Sequence, residues 1–137
     1  MQTLTRATII ILILAISACA NPKRDKSFEV SIKNMEKLIR WSEFEGAMNM
    51  IDPEYLAKNP ITQLDVERLK QFRVTGYTVT QHEMNAENTL YRQQVLLQMY
   101  NTHNPVERST RWNQEWRYNA ETNRWTMFSG LPDLNQP

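Results

Sequence analysis

The apolar residues of this 137-residue chain change their period between Ile51 and Phe72, and that change restricts the fold more than any other feature. Before it, Phe28, Ile32, Met35, Leu38 with Ile39, Phe44, Met48 and Ile51 recur every three or four positions, which puts them on one stripe of a helix. Lys33, Glu36, Lys37, Arg40, Glu43 and Glu45 fall mainly on the other side. The spacing predicts one long helix over 28–51, stopped at Asp52-Pro53 because a residue before proline is biased away from helix. Asp52 can cap a new turn with Pro53 at its first position. Asn59-Pro60 breaks that turn, and residues 62–70 form another short helix.

After the change, apolar residues alternate. Phe72 and Val74 share one parity while Tyr77 and Val79 share the other, with the switch at Gly76. One extra residue in a bulge there returns both pairs to the same face, so a long, bent strand is expected. Residues 90–100 place Tyr91, Val95, Leu97 and Met99 on one face and Arg92, Gln94 and Gln98 on the other. Residues 101–105 supply turn chemistry, and 110–118 alternate most clearly, Trp112, Trp116 and Tyr118 opposing Arg111, Asn113, Glu115 and Arg117. A turn over 119–123 leads into 124–128, closing a hairpin with Trp125 and Met127 facing in. The expected architecture is α+β: one long and several short helices packed on a bent antiparallel sheet of about four strands.

This order of elements resembles the NTF2-like (cystatin-superfamily) cone over residues 28–128. The likeness is carried by the N-terminal helix, the bend at Gly76 and the closing hairpin whose last strand begins Asn123-Arg124-Trp125. It is a likeness of topology, which bears on fold rather than on function.

The chain begins with a free amine and Arg6, followed by a charge-free, mostly Ile and Leu stretch over 7–16. A helix needs about 20 residues to cross a hydrocarbon core of roughly 30 Å, so this stretch fits a signal-peptide core instead. It ends Ile16-Ser17-Ala18-Cys19, which resembles the bacterial lipobox. The resemblance implies that 1–18 are a signal peptide cut away before Cys19, which takes the lipid. Residues 19–27 then form the lipidated cysteine and a polar tether, 28–130 a single domain, and 131–137 a flexible tail. By the same resemblance Ala20, where lipoproteins kept in the inner membrane tend to have Asp, implies the outer membrane, facing the periplasm. Cys19 is the sole cysteine, so no intramolecular disulfide is open to it.

Composition narrows the functions. The chain carries 16 Lys and Arg against 15 Asp and Glu, and Arg6 lies in the segment to be removed, which leaves the mature domain neutral. Nucleic-acid binding draws on cations that displace counterions from phosphates, so no nucleic-acid partner is expected. With three glycines in the whole chain there is no phosphate-cradling loop. His82 and His103 lack carboxylate or cysteine partners at ligand spacing, so neither metal nor other cofactor is expected. If the cone were an enzyme, its acid and base would come from Asp52, Asp65, His82, Tyr77 and Tyr91, but none lies in a catalytic motif, and the chain reads as non-catalytic.

The most unusual local composition is Arg108, Arg111, Trp112, Trp116, Arg117, Tyr118, Arg124 and Trp125. Trp, Tyr and Arg dominate interaction hot spots, so Arg111, Trp112, Trp116, Arg117, Tyr118 and Trp125 are a candidate interaction face. The competing reading puts the indoles in the core while Arg and Glu pair across strands on the wet face. The expected function is that of an accessory or interaction subunit of an envelope assembly of secretion, pilus or conjugation type, with a membrane and an envelope protein as partners. The alternative is a module holding a small apolar ligand or glycan in the cone.

Overall fold

The computed structural model describes residues 21–134. The signal segment, the lipobox and Cys19 lie outside the described residues.

Helix α1 runs Pro22–Arg40, with Asn21 as its N-cap accepting from the Arg24 amide at 3.2 Å and Pro22 in the first turn. The tether expected over 19–27 is corrected from residue 22 onward, and the ordered domain begins before residue 28. Asn-Pro is a cap followed by a first-turn proline, and proline's missing N–H costs nothing there.

The single helix expected over 28–51 is also corrected. α1 stops at Arg40, and a second helix, α2, spans Phe44–Met48. The stop is a Schellman motif: the Ser42 amide donates to the Ile39 carbonyl at 2.9 Å and the Glu43 amide to Leu38 at 2.8 Å. Its left-handed position, normally glycine, is held by Ser42 at φ 56, and the Ser42 hydroxyl is buried with no partner among the described residues. The stripe looks unbroken because α2 buries Phe44 and Ala47 in the same core after the chain has turned. Ser42→Gly is expected to raise the unfolding free energy by about 1 kcal/mol, since strain and an orphaned hydroxyl outweigh the freedom glycine adds to the unfolded chain. Urea titration checks this, and a lower midpoint for the variant would refute it.

Two further helices follow. α3, Pro53–Lys58, starts on Asp52, whose carboxylate accepts from the Glu54 amide at 2.8 Å, and α4, Gln63–Lys70, starts on a capping box between Thr62 and Asp65. The sheet is an antiparallel meander in the order β1-β2-β3-β4: β1 Phe72–Met84, β2 Leu90–Asn101, β3 Asn104–Asn119 and β4 Arg124–Met127. Its β1–β2 register shifts between Val74 and Gly76, where the parity switch was read, and again between Val79 and Gln81. A Cβ at position 76 would press on the Gln98 side chain opposite, 3.2 Å from its Cβ, so glycine eases the close pairing at the first bulge.

The fold is thus mixed α+β, a four-stranded open antiparallel sheet with its core on the helical side. Met35, Ile39, Phe44, Val66 and Leu69 from the helices meet Tyr77, Val95, Leu97, Met99, Trp112, Trp116, Trp125 and Met127 from the strands. The tail expected to be flexible over 131–137 is ordered through residue 134. Trp112 Nε1 donates to the Gly130 carbonyl at 2.8 Å, Thr110 Oγ1 to the Asp133 carbonyl at 3.1 Å, and Leu131 and Leu134 pack on the core.

Candidate functional site

Alternation sends Gln93 and Gln114 inward, between Tyr91 and Val95 and between Trp112 and Trp116. There they meet directly opposite one another across β2 and β3, beside Tyr77 on β1. Gln93 Nε2 donates to Gln114 Oε1 at 2.8 Å and to the Tyr77 hydroxyl at 3.3 Å. Gln114 Nε2 donates to the same hydroxyl at 3.1 Å, Trp116 Nε1 to Gln114 Oε1 at 2.8 Å, and the Tyr91 hydroxyl to Gln93 Oε1 at 3.0 Å. A buried amide without partners is expensive, and this network supplies them.

Burial pushes the Tyr77 hydroxyl up to about 12 and raises Tyr91 as well. Both therefore stay protonated at neutral pH, and among the described residues no carboxylate or imidazole is hydrogen-bonded into the network. It orients side chains but holds no base. The other catalytic candidates are dispersed. Asp52 caps α3 and also accepts from Thr126 Oγ1 at 2.9 Å, tying that helix to β4. Asp65 is held below the usual carboxylate range by its hydrogen bonds from Thr62. His82 stands exposed on β1 with its ring 6.2 Å from that of Tyr91, and His103 sits in the β2–β3 turn. Among the described residues no group of three His, Cys, Asp or Glu is arranged to hold a metal, and no helix is long and apolar enough to cross a membrane.

The six residues read as one interaction face do not share one. Trp112, Trp116 and Trp125 are buried in the core, and Tyr118 is half-buried against Trp125 with ring centroids 5.6 Å apart. Arg111 and Arg117 point to the opposite, open side of β3. The reason is the period of two: neighbours in a strand are on opposite faces of its sheet. On that open side Glu115 accepts from Arg92 at 2.9 Å and Arg117 at 2.6 Å, and Arg117 lies over the Phe128 ring, 4.1 Å from its centroid. Partial burial pushes the Glu115 carboxyl up, but Arg92 and Arg117 hold it below its ordinary value.

Two features missed in the sequence offer themselves to a partner. The first is the edge of β1. The β4 edge is bridged at its end, where the Met127 amide donates to Met50 at 3.0 Å, the Asp52 amide donates to Met127 at 2.9 Å and Ile51 forms a parallel bridge with Met127, and β4 covers residues 116–119 of β3. Among the described residues β1 pairs only with β2, and from Thr78 to Met84 every residue is exposed. Arg40 guards one point, donating from Nη2 to the Tyr77 carbonyl at 3.1 Å. Beyond it Val79 and Met84 are 40% and 37% exposed, and Trp41, next to Arg40, is 73% exposed. The second feature is a groove of about 720 Å³ between α3, α4 and the ordered tail. Tyr55, Ile61, Leu69, Phe72, Leu131 and Leu134 line it, with Arg68 and Arg108 among its polar groups.

No protein-family model matches the chain, and no curated protein matches it. Among solved structures, the solution structure of a SEC-C motif containing protein from Rhodopseudomonas palustris is similar, with a TM-score of 0.57 at 12% identity over 77% of each chain. At that identity the similarity is one of fold alone.

Proposed function

We propose that this chain is a non-catalytic lipoprotein, anchored by lipid on Cys19 to the outer membrane, whose NTF2-like domain binds another envelope protein as an accessory subunit of an envelope assembly. What supports the reading most is the asymmetry of the sheet. Residues 50–52 bridge the β4 edge at Met127, while the β1 edge leaves seven successive residues exposed. An open edge offers unpaired backbone N–H and C=O groups, and a partner's extended segment can add to it as a further strand. The two β1 bulges keep a second flat sheet from stacking there by accident, while a flexible segment can follow the bend.

The test is photo-cross-linking in the native envelope, with the reactive residue at Thr78 or Gln81 on the edge and at Asn113 or Lys58 elsewhere. Adducts to one partner from the two edge positions, and none from the others, are expected. Adducts of equal yield from all four, or none from the edge, would overturn the proposal. The ligand reading is favoured by one observation, the groove between α3, α4 and the tail. Its apolar residues, with Arg68, Arg108, Asp65 and Asp133 at the same groove, suit a small ligand with an apolar body and polar groups. The sheet's helical side, filled by Trp112, Trp116 and the glutamine network, offers no comparable room among the described residues.

A further inference from the structure

A groove of about 670 Å³ runs beside the N-terminal half of α1, between that helix, residues 49–50 and the β3–β4 turn. Lys23, Lys26 and Arg124 line it and no carboxylate does. None of the three cations is in an ion pair among the described residues, whereas the carboxylates next to them on α1 are engaged, Asp25 with Arg24 and Glu29 with Lys33. Ser27, Asn49 and Asn123 add polar groups, and Val30, 57% exposed, gives the groove an apolar shelf. We propose that this groove seats the phosphate of an anionic phospholipid headgroup in the membrane that Cys19 enters, a step that rests on the lipid-anchor reading.

Position supports charge. Asn21 caps α1, so one residue, Ala20, separates the cap from Cys19. Two residues of chain reach at most about 7 Å, and a helix rises about 1.5 Å per residue, which keeps Lys23 and Lys26 within roughly 15 Å of the lipidated sulfur. That upper bound is about two screening lengths at physiological salt, about 8 Å each, and the exposed lysine side chains can reach back toward the leaflet to within one of them. The β3–β4 turn is brought to the same end of the molecule by the bond from Ser27 Oγ to the Asn123 carbonyl at 3.0 Å, and Arg124 comes with it. Cations at one end and an apolar shelf beside them match a phosphate with its glycerol behind it.

The experiment uses the full lipidated protein reconstituted in vesicles of phosphatidylcholine, with or without phosphatidylglycerol. Acylation of each lysine by an amine-reactive ester is followed by mass spectrometry. In the anionic vesicles Lys23 and Lys26 are expected to react at least about threefold more slowly than in neutral ones, with Lys58 unchanged, and ~0.5 M salt should restore the rates. Arg124→Glu, at an exposed position, should abolish most of the slowing. Equal rates in both vesicle types would overturn the proposal. So would slowing by inorganic phosphate in neutral vesicles with no further effect of phosphatidylglycerol, which would mark a site for free phosphate. Failure of the anchor reading shows separately, as protein that carries no lipid and does not float with the vesicles.

Discussion

Gln114→Leu is expected to cost the domain about 3 kcal/mol, more than most single substitutions of a polar residue. The Gln114 carbonyl accepts from both Trp116 Nε1 and Gln93 Nε2, and its amide donates to the Tyr77 hydroxyl. Leucine fills a similar volume but leaves two buried donors without an acceptor, each at about 1–3 kcal/mol, offset in part by added apolar burial. The control is Gln94→Leu, one residue from Gln93 but on the open side, where the bond to Asn113 Oδ1 at 3.1 Å is solvent-exposed. It should change stability by about 0.5 kcal/mol or less. Urea unfolding of the two variants decides. If they lie within experimental error of each other, the network is wet and contributes nothing to the uniqueness of the core. Gln93→Leu combined with Gln114→Leu should cost less than the two singly, because each already orphans the other's partners.

Those glutamines also show where a sequence reading of this fold stops. Alternation over 110–118 was legible because Trp112 and Trp116 are large and apolar, and the structure buries both. A glutamine at the same parity carries no such signal on its own. Only the frame set by its neighbours shows that Gln93 and Gln114 must face in and must find one another. The turns divide in the same way. Asp52-Pro53 and Gly76 announce their roles by residue type, and each fills the one expected of it. The stop after Arg40 does not, because serine stands where glycine normally marks a left-handed cap and the apolar spacing continues across the break.

The surface was least legible. Arg111, Trp112, Trp116 and Arg117 are neighbours in sequence, but a strand separates them to opposite sides. The open β1 edge has no residue signature at all. It follows from which strands pair, while residues 50–52 reach across to bridge β4 at Met127. The basic groove likewise joins Lys23 and Lys26 to Arg124, a pairing that only the packing of α1 against the β3–β4 turn creates.

Cys19→Ser is expected to abolish lipid labelling and to leave the unprocessed chain extractable from membranes by alkaline carbonate. Serine's hydroxyl is a far weaker nucleophile than a thiol at neutral pH, so the thioether to the diacylglycerol is not made. Each buried methylene contributes about 0.8 kcal/mol, and two or three acyl chains together make release negligible on a cellular timescale. Nothing in the variant replaces that. The uncut apolar stretch 7–16 would extend about 15 Å as a helix, half of a hydrocarbon core of roughly 30 Å. The measurement is metabolic labelling with radioactive palmitate, followed by membrane fractionation of the wild-type chain and the variant. A wild-type chain that takes no label, or a variant that resists carbonate as firmly as the wild type, would sink the anchor. The consequence for function is geometric. On the proposed anchor, Asn21 capping α1 leaves one residue, Ala20, between the lipidated cysteine and the fold, so a partner proposed for the β1 edge would meet it close to the membrane. Inserting a flexible Gly-Ser linker after Ala20 in the lipidated protein should therefore preserve membrane attachment while weakening the edge-specific cross-links, which separates the role of the anchor from the role of its length.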